Sequence, residues 1–177
     1  MERHIVVVDV ETTGFDPVRQ AVVEVAWWNL NTDERGEFVP IHDVHEVLQH
    51  ADIKALQINR YVDRLADAKQ DTDYVELNRL HDALRGNTLA GSNPRFDAAF
   101  LAPMFTAANR SNPTPWHHRL WDLSPYAAGV LGLAELPGLA TVCERLGVAL
   151  PDHSAAADVT ATGECLTRLL LKAGTPL

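Results

Sequence analysis

The chain has 177 residues, 46% of them hydrophobic, so it can bury a substantial core, and its length favours one domain over residues 1–177. The formal net charge of −9, with three Lys beside twelve Arg, argues against a protein that grips long nucleic acid through a broad basic face, because that mode needs many phosphate-neutralising side chains. No run of about 18 apolar residues occurs, and Met1-Glu-Arg-His4 passes straight into a strand-like segment, so a soluble, cytoplasmic protein with no membrane partner is expected.

In chain order, the β-branched run Ile5 to Glu11 reads as a buried strand carrying carboxylates at its C-terminal edge, and Thr12-Thr13-Gly14 with Asp16-Pro17 breaks it. Ala21 to Leu30 gives a second strand and Gly36 to Ile41 a third, an antiparallel meander joined by short polar links. The pattern then turns helical, with a short piece from Asp52 to Ile58 and a longer one from about Thr72 to Arg85, where Leu77, Leu80 and Leu84 share a face. A strand at Thr88 to Ser92 leads into a helix over about Arg95 to Ala108, and a rigid Asn112-Pro-Thr-Pro115 loop precedes a strand at His118 to Asp122. Helices follow near Leu123 to Leu131, Leu139 to Leu146 and Ser154 to Lys172. Strands first, then strand and helix in alternation, predict an α/β fold with a mixed sheet flanked by helices.

Asp9 and Glu11 lie two apart on one strand, so their side chains share a face about 6.6 Å apart along the chain and repel unless something positive sits between them. Asp97 follows the fourth strand, where a helix-start charge is an equally natural role. Asp158 projects from a small-residue surface among Ala155, Ala156, Ala157 and Val159. His153 stands five residues before it; five helical residues turn through about 500°, which would make the two diverge, so Pro151-Asp152 places His153 in the loop ahead of the helix. Four oxygen ligands suit two Mg²⁺ or Mn²⁺ ions better than zinc. Two such ions would clamp a scissile phosphate. The remaining need is a base, and an imidazole, which ordinarily titrates near neutral pH, fits that role at His153. Cys143 and Cys165 sit in helix-like segments without zinc-type spacing and read as buried free thiols.

The three segments D-V-E-T-T-G (Asp9 to Gly14), N-P-R-F-D (Asn93 to Asp97) and H-S-A-A-A-D (His153 to Asp158) resemble, in order and across nearly the whole chain, the motifs of the DEDDh-type, DnaQ-like exonuclease family. The resemblance implies a ribonuclease H-like fold, 3′→5′ hydrolysis of phosphodiester bonds in single-stranded nucleic acid, and two Mg²⁺ or Mn²⁺ ions held by Asp9, Glu11, Asp97 and Asp158, with His153 as general base. It also implies that Thr12, Thr13 and Gly14 approach the terminal nucleotide. Asn93 and Phe96 match positions around Asp97, with a turn residue and a core aromatic as the plainer readings. Leu56 and Ile58 belong to a segment that often lines the substrate groove in the family, where either could wedge against the last base, although core packing is the better explanation of each. Ser92 replaces a His common in relatives and Leu123 a Thr, departures that bear on substrate preference.

DNA is slightly favoured by the T-T-G form of the first motif, with an RNA-trimming exoribonuclease as the rival. An idle nucleic-acid or partner-binding module and a small-ester phosphohydrolase are the other readings. The chain stops soon after its last helix, so a stand-alone enzyme is expected, with a polymerase or homodimer partner left open.

Overall fold

β1 (Ile5–Thr12) runs through the middle of the molecule, and its β-branched residues are buried on both faces: Val6, Val7 and Val8 are at most 1% exposed. Each such side chain contributes roughly 1.5–3 kcal/mol on leaving water. The computed structural model describes residues 3–175; residues 1–2 and 176–177, the two ends of the expected domain, lie outside the described residues. β2 (Val22–Asn29) and β3 (Arg35–Phe38) continue from β1 as the expected antiparallel meander. Then follow α1 (Val44–His50), α2 (Ile53–Ile58), α3 (Tyr61–Arg64), α4 (Val75–Leu84), β4 (Thr88–Gly91), α5 (Pro94–Ala107), β5 (Trp121–Asp122), α6 (Leu123–Leu131), α7 (Leu139–Leu146) and α8 (Ala155–Lys172).

The sheet order is β3-β2-β1-β4-β5, with β4 parallel to β1 and β5 parallel to β4. This is the mixed α/β sheet anticipated from the sequence, and it carries a core on each face. Ile5 and Val7 pack with α6, α7 and α8 on one side, while Val6, Val8 and Val10 pack with α4 and α5 on the other. Adjacent Trp27 and Trp28 split between these faces, as strand alternation requires. Trp27 is buried against the α4 and α5 side and Trp28 lies beneath α8, where Gly163 leaves room for its ring.

Several boundaries differ from the sequence reading for identifiable reasons. α4 starts at Val75 rather than near Thr72 because Asp71 accepts the backbone N–H groups of Val75 and Leu77 and stops the chain from coiling earlier. The expected strand from His118 shrinks to Trp121–Asp122, since only Ala90 and Gly91 of β4 are there to pair with it. α1 and α3 have no counterpart in the periodicity: among their residues only Val47 and Tyr61 are buried, too few to write an apolar stripe. The two thiols meet between α7 and α8 with sulfurs 3.7 Å apart, both free and buried. No helix among the described residues is long and apolar enough to cross a membrane.

Candidate active site

The period of two along β1 puts Asp9 and Glu11 on the same face as Ile5 and Val7, the face covered by α8. Where the apolar run of β1 ends, those carboxylates meet Asp158 from the first turn of α8. Asp9, Glu11 and Asp158 each offer an oxygen within 4.8 Å of the other two. Asp158 Oδ2 is buried without a hydrogen-bond partner, a costly arrangement unless a cation completes it. An all-oxygen donor set suits a hard divalent cation, so these residues fit the group the sequence implied.

Asp97 lies beside this trio rather than in it. It is buried at the start of α5, and its Oδ1 accepts the backbone N–H of Val10 at 3.0 Å, so one oxygen is committed to fixing α5 against β1. Two backbone features bring it there. Gly91 passes so close to Val8 that a Cβ would lie 3.1 Å from its carbonyl oxygen, and Asn93 takes a left-handed conformation (φ 68°) that a turn asparagine tolerates. Pro94 then opens the helix.

The electrostatics are those of a site built for positive charge. Burial holds Asp9 protonated well above the usual carboxylate range, with Asp97, Asp158 and Glu11 adding repulsion. Glu11 is pushed up to about 8 by burial, then by Asp158 and Glu24, while Arg64 opposes the shift. Asp97 rises to about 7 through burial, despite its bond to Val10. Asp158 rises to about 6 through burial, with His153 pulling the other way. His153 itself is exposed in a left-handed conformation (φ 63°), outside α8 as its spacing from Asp158 required. Ser154 separates it from the helix, capping the Ala157 N–H.

The turn after β1 is held from within. The Thr12 hydroxyl donates to the Gly14 carbonyl at 2.6 Å, and the Thr13 hydroxyl accepts the Ala21 N–H at 2.9 Å. The turn's backbone is engaged as well, since the Thr13 N–H donates to the Ala21 carbonyl and the carbonyls of Thr12 and Thr13 accept from Asn59 and Asp52; the Thr13 hydroxyl, which only accepts, keeps its proton to offer a ligand. Gly14 has φ 154°, a conformation that residues with a side chain rarely adopt, which explains the glycine. Phe96 packs into the α5 core and also meets Phe15 edge-on at 6.2 Å. Leu56 packs on a small third core with Val23, Val39, Val47, Tyr61 and Leu65, while Ile53 and Ile58 of the same helix stay exposed.

Four neighbours of the site escaped the sequence reading. Phe15 is 80% exposed beside the turn. Glu24 faces Glu11 across the β1–β2 ladder, and its carboxylate pairs with Arg64 and accepts the Ala155 N–H. Asn59, buried, donates to the Thr12 carbonyl. A carboxylate inside the apolar run Val22 to Ala26 was a signal for Glu24; Asn59 and Arg64 lie where the sequence has no period to read.

The exonuclease family model (RNase_T) matches residues 6–166. The chain is 26% identical over 184 residues to Ribonuclease T of Buchnera aphidicola subsp. Baizongia pistaciae (strain Bp), covering 93% of this chain and 82% of that protein. Among solved structures it is similar to exonuclease I in its apo form, with a TM-score of 0.72 and 20% identity over 96% of this chain and 42% of that one. It is also similar to the zinc-bound form of the E. coli exonuclease I–ssDNA complex, with a TM-score of 0.74 and 21% identity over 96% of this chain and 40% of that one. The chain thus spans about two-fifths of the exonuclease I chains it matches.

Proposed function

The chain belongs to the exonuclease family and is a nuclease hydrolase with a ribonuclease H-like fold, and from that premise we propose that residues 1–177 act as one domain removing nucleotides from the 3′ end of single-stranded nucleic acid with the help of two Mg²⁺ or Mn²⁺ ions. The observation that carries the reading is the convergence of Asp9, Glu11 and Asp158 within 4.8 Å, with Asp158 Oδ2 buried and unpartnered. Asp9, Glu11 and Asp158 would hold the cations, and Asp97 would join them through the oxygen not bonded to Val10. Bound divalent cations supply Lewis-acid stabilisation of the charge that develops on the phosphoryl oxygens.

The chain's own residues do the rest. His153, exposed at the mouth of the site, takes the proton of the attacking water as general base. Its position ahead of α8 leaves the imidazole free to approach a substrate that Asp158, fixed on the helix, cannot follow. Thr12, Thr13 and Gly14 approach the terminal nucleotide, with the Thr13 hydroxyl proton as the donor that the turn's internal bonds leave over, and Asn93 and Phe96 shape the wall beside Asp97. Leu56 lines the same side only through the part of its side chain left outside the third core.

DNA is the favoured polymer, supported by exonuclease I complexes with dT13 and dA16 oligonucleotides among the structural neighbours. RNA is the second reading, supported by the similarity to Ribonuclease T over 93% of this chain. A time course on matched single-stranded DNA and RNA, labelled at either end, with Mg²⁺ or Mn²⁺ and an EDTA control, tests both. Stepwise shortening from the 3′ end that EDTA abolishes is the expected result, and the faster sugar identifies the substrate. Intact polymers of both kinds would overturn the proposal.

A further inference from the structure

Four hydrogen bonds form a continuous path from the turn after β1 to the start of α8. Asn59 Nδ2 donates to the Thr12 carbonyl at 3.1 Å, and the Asn59 carbonyl accepts from Arg64 Nη1 at 2.9 Å. Arg64 Nη2 donates to Glu24 Oε1 at 2.6 Å, and Glu24 Oε2 accepts the Ala155 N–H at 3.0 Å. Every link is buried or partly buried: Asn59 is 1% exposed, and the Arg64 and Glu24 side chains are 23% and 13% exposed. The path therefore spans the gap that the acidic trio also spans, since Glu11 precedes Thr12 on β1 and Asp158 lies one helical turn after Ala155.

At the N-terminus of α8 the Ser154 hydroxyl accepts the Ala157 N–H, and the Ala155 N–H, which that cap does not reach, is satisfied by Glu24. Glu24 faces Glu11 across the β1–β2 pair, a position where two ionised carboxylates would repel. Glu24 sits there nevertheless, and each of its oxygens has a separate partner. Arg64 suits the central place because a guanidinium can bind two acceptors in fixed directions at once.

We infer that Asn59, Arg64 and Glu24 form a positioning brace that sets the distance of Asp158 from Asp9 and Glu11, so that the affinity of the site for divalent cations depends on it. The inference rests on the reading that those three carboxylates hold the cations. None of the brace residues needs to touch the cation or the substrate. Partners that orient metal-binding side chains in this way commonly change affinity by about 10–100-fold when removed.

The test is Mn²⁺ binding to the nucleic-acid-free protein, measured by calorimetry. The variants are Glu24→Ala, Glu24→Gln and Arg64→Lys, with Leu84→Ala, on the buried face of α4 across the sheet from the site, as a destabilised control. Glu24→Ala is expected to weaken Mn²⁺ binding by about tenfold or more, with Leu84→Ala binding as the wild type does. Glu24→Gln, which keeps an acceptor for the Ala155 N–H but gives up the negative charge that pairs with Arg64, should fall between wild type and Glu24→Ala, and it carries the test if Glu24→Ala does not fold. Arg64→Lys, which loses the fork, should also bind more weakly than wild type. Unchanged affinity in the Glu24 variants, or an equal loss in Leu84→Ala, overturns the brace. A wild-type protein that binds no Mn²⁺ overturns the cation reading itself, and the brace with it.

Discussion

Glu11 on β1 and Glu24 on β2 stand directly opposite one another in the central antiparallel pair. Side chains so placed lie on the same face of the sheet, and Arg64 is paired with Glu24 and within electrostatic reach of Glu11. Without bound cations Asp9 is disfavoured as an anion first by burial and then by repulsion from Asp97, Asp158 and Glu11, and this sets how stability and activity respond to pH and substitution.

The metal-free protein should lose stability as pH rises from about 5 to about 8. Glu11 and Asp158 ordinarily release their protons at 4.5 and 3.8, but folded they do so at about 8 and about 6, and Asp97 does so at about 7. Between those values the folded state binds more protons than the unfolded one, so the contribution is fully present at low pH and vanishes as pH climbs through the folded values. Thermal melts in EDTA should show a Tm that falls over this range, and added Mn²⁺ should stabilise most at the alkaline end. A metal-free Tm that rises steadily from pH 5 to 8 contradicts the account.

Asp9→Asn should separate activity from stability. Removing a half-buried carboxylate that its neighbours repel should raise the Tm of the metal-free protein, while turnover falls by more than ~10²-fold, the scale of losing one group that stabilises developing charge. Melting in EDTA and rate measurements at saturating Mg²⁺ check the two halves. Near-normal turnover would remove Asp9 from the cation site.

His153→Ala should leave Mn²⁺ affinity close to that of the wild type and slow hydrolysis by ~10²-fold or more, as expected for loss of a general base. His153 is exposed and outside α8, so its side chain can be removed without opening the core. An unchanged rate constant at saturating Mg²⁺ would assign the proton transfer elsewhere.

Phe15→Ala should act on substrate binding rather than on chemistry. The ring is 80% exposed and touches Phe96 edge-on, next to Asp97, so its open face is available to stack on a base. Stacking of this kind is worth roughly 1–3 kcal/mol per base, so KM for a single strand should rise about tenfold with kcat nearly kept. Equal KM values for the two proteins would show that Phe15 does not meet the substrate.

Gly163→Ala should destabilise the fold by ~1–3 kcal/mol, the usual cost of overpacking. A Cβ at this position of α8 would lie 2.3 Å from Cε3 of Trp28, with Leu30 Cδ2 at 3.1 Å, so the helix would have to lift from β2. Chemical denaturation reads the loss directly, and an unchanged midpoint would mean that the helix adjusts at no cost.

The elements that bear the site were legible in the sequence because each writes its own local pattern. The β-branched run of β1 places Asp9 and Glu11 on one face, Pro94 marks the start of α5 just before Asp97, and Ser154 caps α8 ahead of Asp158. Even the separation of His153 from α8 followed from the turn of a helix and the proline before it. What no local pattern contains is which of these ends meet. Tertiary structure alone decided that Asp158 joins Asp9 and Glu11 while Asp97 spends an oxygen on Val10, and that Thr12 and Thr13 turn their hydroxyls inward. It alone drew Asn59, Arg64 and Glu24 into one path, since those residues are up to 40 positions apart and their bonds depend on the packing of α2 and α3 against the sheet. Periodicity reports the face a residue occupies on its own element, whereas a hydrogen bond between elements depends on how both are placed in space.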